Sequence, residues 1–107
     1  MNLLTTVKGN VLSFYVNHIV DGEVYELSEG ERYSFNVSKS LSDDVPCIAV
    51  KSDTVTFKVD TTSLDCGSYY FEIGIVSSSG VETIISPATD KDGNRVNTLI
   101  ITERINK

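Results

Sequence analysis

The stretch of sequence that decides the fold is Leu64-Asp65-Cys66-Gly67-Ser68-Tyr69. This spacing of Leu, Gly and Tyr is typical of a tyrosine corner, in which a Tyr hydroxyl at the start of a strand bonds backbone a few residues upstream. Gly67 supplies the backbone freedom that a corner needs. The alternative is an ordinary loop before an aromatic strand, but a buried Tyr hydroxyl must find a partner. We therefore predict that Leu64, Gly67 and Tyr69 are structural residues of a β-sandwich.

Alternation of apolar and polar residues extends this prediction along the chain in both directions. Apolar side chains occupy every second position within residues 11–16, 32–39, 53–59 and 69–76, and residues 98–102 form a last β-rich run. Such one-sided strands belong to antiparallel sheets with one solvated face. Turn signals rich in Gly, Asp and Ser separate the runs about every 8–12 residues. The pattern predicts an antiparallel, immunoglobulin-like β-sandwich of about seven or eight strands.

Composition agrees with an all-β chain and excludes several classes of function. Val, Ile and Thr number 32 of the 107 residues, and these β-branched residues favour strands. The length predicts a single domain over residues 1–107. A net charge of −6 argues against a nucleic-acid or anionic membrane partner, because either needs a basic face. We find no secretory signal and no membrane-spanning run, so we expect a protein made in the cytoplasm.

Few residues suit catalysis or metal binding. His18 is the sole His, and no Gly-x-Ser-x-Gly elbow accompanies it, so we expect no enzyme and no catalytic residue. Cys47 and Cys66 are interpreted as free thiols, with one bridge between strand ends as the alternative. They make a poor zinc site, since structural zinc takes four ligands. We expect no cofactor and no metal.

The loop from Asp90 to Asn94 resembles the first positions of a calcium-binding EF-hand loop. The match fails at position six, where Arg95 replaces the Gly, and at position twelve, where Ile101 replaces a bidentate Glu. Asp, Asn and Gly are favoured in turns without any metal. We therefore interpret the loop as a polar hairpin connection, and whether it binds calcium or a glycan stays open.

Taken in order, the landmarks of the chain resemble those of a known family. They are a turn with Asp21-Gly22, an aromatic strand that ends at Lys39, the corner from Asp60 to Tyr69 and a strand from Gly80 to Pro87. The chain resembles small phage and prophage virion proteins of Firmicutes, related to the N-terminal domain of the siphophage baseplate upper protein. Relatives usually run from this Pro directly into the last strand, whereas here residues 88–97 insert a polar loop.

The resemblance implies a non-enzymatic structural or accessory protein of the virion, at the baseplate, tail or head surface. Its partners would be other virion proteins, with many copies on the particle or a homo-oligomer, because repeated weak contacts give avidity. Tyr15, Tyr70 and Val76 fall opposite the predicted core, so they are candidates for a docking surface if exposed together. The alternative function is a carbohydrate or host-surface binding module, which predicts exposed aromatic rings beside the loop from Asp90 to Asn94.

Overall fold

The computed structural model describes residues 2–104, and over this range the chain is all-β without a helix. It has ten strands there, rather than seven or eight, partly because one short hairpin was not predicted. The strands are β1 (Asn2–Val7), β2 (Val11–Tyr15), β3 (Ile19–Val20), β4 (Glu23–Val24), β5 (Arg32–Ser38), β6 (Ile48–Ser52), β7 (Thr56–Asp60), β8 (Gly67–Val76), β9 (Glu82–Ser86) and β10 (Asn97–Thr102). None of the described residues forms a helix that is long and apolar enough to cross a membrane.

The larger sheet has the strand order β1-β10-β8-β5-β6, and β9 also pairs with β8. Its pairs are antiparallel except for β1 with β10, which is parallel. The prediction of a wholly antiparallel fold is wrong at this pair. The turn between β1 and β2 carries the chain from one sheet to the other, so β1 pairs with a strand distant in sequence. No tight hairpin then dictates the relative direction of the two strands.

Strands β9 and β10 lie one after the other along the same edge of β8, because β5 occupies the other edge. Ser86 pairs with Ile73, so an uninterrupted strand would place Thr89 opposite Tyr70, where the structure places Thr98. β9 and β10 therefore follow the line of a single strand along β8, and the residues between Ser86 and Asn97 form an excursion that interrupts it. Its neck is closed where the Ala88 carbonyl accepts hydrogen bonds from the backbone N–H groups of residues 96 and 97, at 3.0 and 3.3 Å.

The small sheet of β2 and β7 packs on one face of the larger sheet through aromatic rings. Phe35 lies at the centre, with ring centroids 4.8 Å from Phe14, 5.9 Å from Phe57 and 5.5 Å from Phe71. Tilted contacts at these separations stabilise aromatic pairs beyond their burial. The alternation in these strands therefore produces a two-layer structure with a shared core, which also contains Leu64 and Tyr69.

Two departures from strict alternation occur in and next to the strands that supply the core. Ser34 lies on the predicted solvent face of β5, yet it is buried beside Gly74 of β8. Val55, predicted to point inward, is 39% exposed just before β7 begins. The buried hydroxyls of Tyr33 and Ser34 have no hydrogen-bond partner among the described residues. Burial raises the pKa of the Tyr33 hydroxyl above its ordinary value.

Candidate functional site

The predicted corner residues come together at the entrance to β8. The Tyr69 hydroxyl donates a hydrogen bond of 2.7 Å to the Asp65 carbonyl, and Leu64 is buried in the core beside it. Gly67 has a φ of 144°, which an L side chain rarely adopts. The Lys39 ammonium lies 4.5 Å from the centre of the Tyr69 ring and also donates to the Ser68 carbonyl. These contacts fasten the crossing loop to the strand, so the role of this cluster is structural.

The three candidate docking residues do not form one surface. Val76 is only 6% exposed, because its position at the end of β8 is flanked by β5 and β9. Tyr70 is half-buried, with the Arg95 guanidinium 3.8 Å above its ring. Tyr15 is 73% exposed but lies in the other sheet, on β2. The condition that they be exposed together is therefore not met, and of the three only Tyr15 is an open apolar side chain.

The loop between Asp90 and Asn94 satisfies its own carboxylate. One Asp90 oxygen accepts hydrogen bonds of 2.9 Å from the backbone N–H groups of Asp92 and Asn94. These two hydrogen bonds hold the pKa of Asp90 below its ordinary value, and the bond from the Asn94 N–H has the larger effect on the pKa. Within residues 2–104, no group of three or more His, Cys, Asp or Glu is arranged to hold a metal ion. The geometry is that of a closed polar turn.

The cysteines and the single histidine each have a local structural setting. Cys47 and Cys66 are both free thiols. The Cys47 thiol donates to the Val37 carbonyl at 3.1 Å, and burial raises its pKa, which disfavours the reactive thiolate. The ring centroids of His18 and Tyr25 are 5.5 Å apart in an edge contact. The backbone carbonyl of His18 also accepts a hydrogen bond of 2.8 Å from the backbone N–H of Tyr25. This pair closes the base of the β3–β4 hairpin.

The β3–β4 hairpin exposes several apolar side chains. Its turn uses Asp21 and Gly22, both with positive φ (52° and 82°), as a tight two-residue hairpin turn requires. Neither strand pairs with another strand in the described part of the chain. Ile19, Val20 and Val24 are 48%, 42% and 62% exposed. Ile19 and Val24 stand opposite each other and project from one face of the hairpin, whereas Val20 projects from the other face. We call the exposed side chains of Ile19 and Val24 the hairpin surface.

A groove with both polar and apolar lining lies beside the base of this hairpin, between the two sheets. Its volume is about 420 Å³, and Leu4, Phe14 and Phe71 line it together with Asn2 and His18. A second groove of about 360 Å³ lies on the opposite face of the larger sheet. Its lining carries the acidic residues Asp43, Asp44, Glu72 and Glu82.

Sequence reasoning did not single out Asn97, which is buried at the junction of β1, β9 and β10. Its carboxamide oxygen accepts from Asn2 at 2.9 Å. Its amide nitrogen lies 2.7 Å from the Ser86 hydroxyl and 2.8 Å from the Pro87 carbonyl. Asn97 shares the inward face of β10 with Leu99 and Ile101. A polar residue at an inward position was the signal that this strand has a buried junction.

Comparison with protein-family models, with curated proteins and with solved structures found no match to this chain.

Proposed function

We propose that this chain is an immunoglobulin-like β-sandwich that acts without catalysis, as a docking protein of a phage or prophage particle. Three features support the immunoglobulin-like part. The first strand pairs in parallel with the last one. The last strand neighbours the strand that begins with the tyrosine corner. A second layer packs over Phe35 through Phe14 and Phe57.

The observation that carries the docking role is the hairpin surface. Ile19 and Val24 stand opposite each other across the hairpin, and both are largely exposed. Exposed apolar residues grouped in this way mark contact sites between proteins. Repetition of such a contact by particle symmetry gives strong attachment from weak single contacts.

The assignment to a particle rests on the family resemblance of the sequence, so its test is localisation. An antibody raised against the purified chain is applied to particles from the native host, which are then viewed by negative-stain electron microscopy. Labelling at a constant position on the particle supports the proposal. Absence of label from every particle, with the antibody active on the free protein, contradicts it.

The docking surface is tested with a matched pair of variants. Val24→Ser changes the hairpin surface, whereas Val81→Ser changes an equally exposed Val in the turn between β8 and β9. We expect the V24S protein to be absent from particles and the V81S protein to be present on them. Circular dichroism should show that both variants are folded. Equal retention of both variants would contradict the assignment of the contact to the hairpin.

Glycan binding is the less supported function. It requires a free aromatic platform near the loop between Asp90 and Asn94, but Arg95 at the end of this loop covers the Tyr70 ring. A glycan array is the direct test, and we expect no bound glycan.

A further inference from the structure

The free edge of β2 offers a line of unpaired backbone groups. β2 pairs with β7, and the Val16 N–H donates to the Val55 carbonyl at 2.7 Å. The Asn10 carbonyl likewise faces β7, since it accepts from the Thr61 hydroxyl. Hydrogen-bonding direction alternates along an antiparallel strand, so the N–H and C=O groups of Val11, Ser13 and Tyr15 point away from β7. None of these groups has a partner among the described residues.

Two other sheet edges in the molecule carry features that discourage pairing. At the far edge of the small sheet, the Thr56 carbonyl accepts from the Ser52 hydroxyl at 2.9 Å, and the Thr56 N–H donates to the Thr54 hydroxyl at 3.3 Å. Strand β6, at the edge of the larger sheet, carries the exposed Lys51. Charges and local side-chain bonds of this kind prevent edge-to-edge association. β2 has no charged residue, no Pro and no bulge.

The side chains of β2 are complementary to a second β2 in the opposite direction. If two copies pair antiparallel about Ser13, then Ser13 faces Ser13 and Val11 faces Tyr15 of the other copy. This register joins the residues whose backbone groups point outward. It also covers Val11 and Tyr15, which are 58% and 73% exposed in one chain. Cross-strand contacts between an aromatic and a β-branched residue stabilise sheets.

Charge does not oppose this association, although each chain has a net charge of −6. The outer face of the small sheet carries one cation, Lys58, and one anion, Asp60, which neighbour Ser13 and Val11. Two copies joined at β2 would therefore not concentrate charge of one sign at the contact. The partner that fits this edge best is a second copy of the chain, since a two-fold axis uses the same patch twice.

We propose that the chain forms a two-fold dimer in which β2 pairs antiparallel with β2 of a second copy, centred on Ser13, to give a continuous four-stranded sheet. The inference deepens the proposed docking function, because it names a second copy as the partner of the β2 edge. The hairpin surface stays available for the particle.

The test is the molar mass in solution, measured by light scattering during gel filtration over a concentration series. We expect twice the 11.7 kDa chain mass at high concentration. Ser13→Pro removes the central N–H donor without affecting a bond to β7 and should weaken the dimer about tenfold or more, whereas Ser13→Ala should not. Tyr15→Lys leaves every backbone N–H group in place and should weaken the dimer equally. This variant provides the test if the S13P protein does not fold. Leu41→Lys, at an exposed apolar position in the connection between β5 and β6, should leave it intact.

A monomer at every concentration would overturn the inference, as would a dimer unchanged by Tyr15→Lys or lost with Leu41→Lys. The dimer and the particle role fail separately. A monomeric protein found on particles overturns only the dimer, and a dimer absent from particles overturns only the particle role.

Discussion

The Tyr69 hydroxyl donates a hydrogen bond of 2.7 Å to the backbone carbonyl of Asp65, four residues upstream. This bond closes the loop that carries the chain from β7 in the small sheet to β8 in the larger sheet. Because Leu64 of the same loop is buried in the core, the bond holds together the two layers at one end. Tyr33, a second buried tyrosine, has no such partner.

Replacement by Phe should change the free energy of unfolding in different ways at Tyr69 and at Tyr33. Tyr69→Phe should lower the free energy of unfolding by about 1 kcal/mol, because a hydrogen bond is lost and a carbonyl loses its partner. Tyr33→Phe should leave the free energy unchanged or raise it by up to about 1 kcal/mol, because it removes a buried hydroxyl that is unpaired. Urea denaturation measures both. A larger loss for Y33F than for Y69F would contradict the hydrogen-bond assignment.

Asn97 should be the most sensitive polar position of the fold. Asn97→Ala leaves polar groups of β1 and β9 without partners in a buried place, so we expect a loss of about 2–3 kcal/mol in the free energy of unfolding. Asn17→Ala, at an exposed position, is the control and should change stability by less than about 0.5 kcal/mol. Equal effects of both substitutions would show that the junction does not depend on the carboxamide.

The excursion between β9 and β10 should be removable. Deletion of residues 88–96, with Pro87→Thr to restore a donor, keeps Thr98 opposite Tyr70 and makes one continuous strand. We expect the variant to keep the β-sheet circular dichroism spectrum and to unfold cooperatively. Loss of cooperative unfolding would contradict the description of β9 and β10 as one interrupted strand.

Acid stability should depend on two exposed carboxylates that accept hydrogen bonds. The Ser28 N–H, and then the Tyr25 hydroxyl, hold the pKa of Glu31 below its ordinary value, as the Asn94 and Asp92 amides do for Asp90. A lowered pKa in the folded state stabilises the protein above the ordinary carboxyl pKa, and this contribution is lost as the pH falls below about 4. Glu31→Gln and Asp90→Asn should therefore each make the fall of Tm between about pH 5 and pH 3 less steep. Glu29→Gln is the control, and an equal effect there would contradict the assignment.

Much of the core could be predicted from sequence, because alternation places Tyr33, Phe35 and Val37 of β5 and Tyr69 and Phe71 of β8 on the inward face, and all five are buried. The corner was predictable as well, since a Tyr at this spacing after a Gly has few other places for its hydroxyl. The parallel pairing of β1 with β10 was not, because local alternation contains no information about which distant strand lies alongside. Val76 was misplaced because the burial of a strand's second face depends on neighbouring strands. The exposed β3–β4 hairpin was read only as a turn, because two-residue strands show no periodicity.

Amide hydrogen exchange of the hairpin, on the free protein and on the protein bound to particles, tests the docking role most directly. The amides of Ile19, Val20 and Val24 lie in a hairpin that pairs with no other strand within residues 2–104, so they should exchange quickly in the free protein. Our account predicts strong protection of these amides on the particle, with the core amides of β8 protected equally in both samples. Equal, rapid exchange of the hairpin in both states would contradict it.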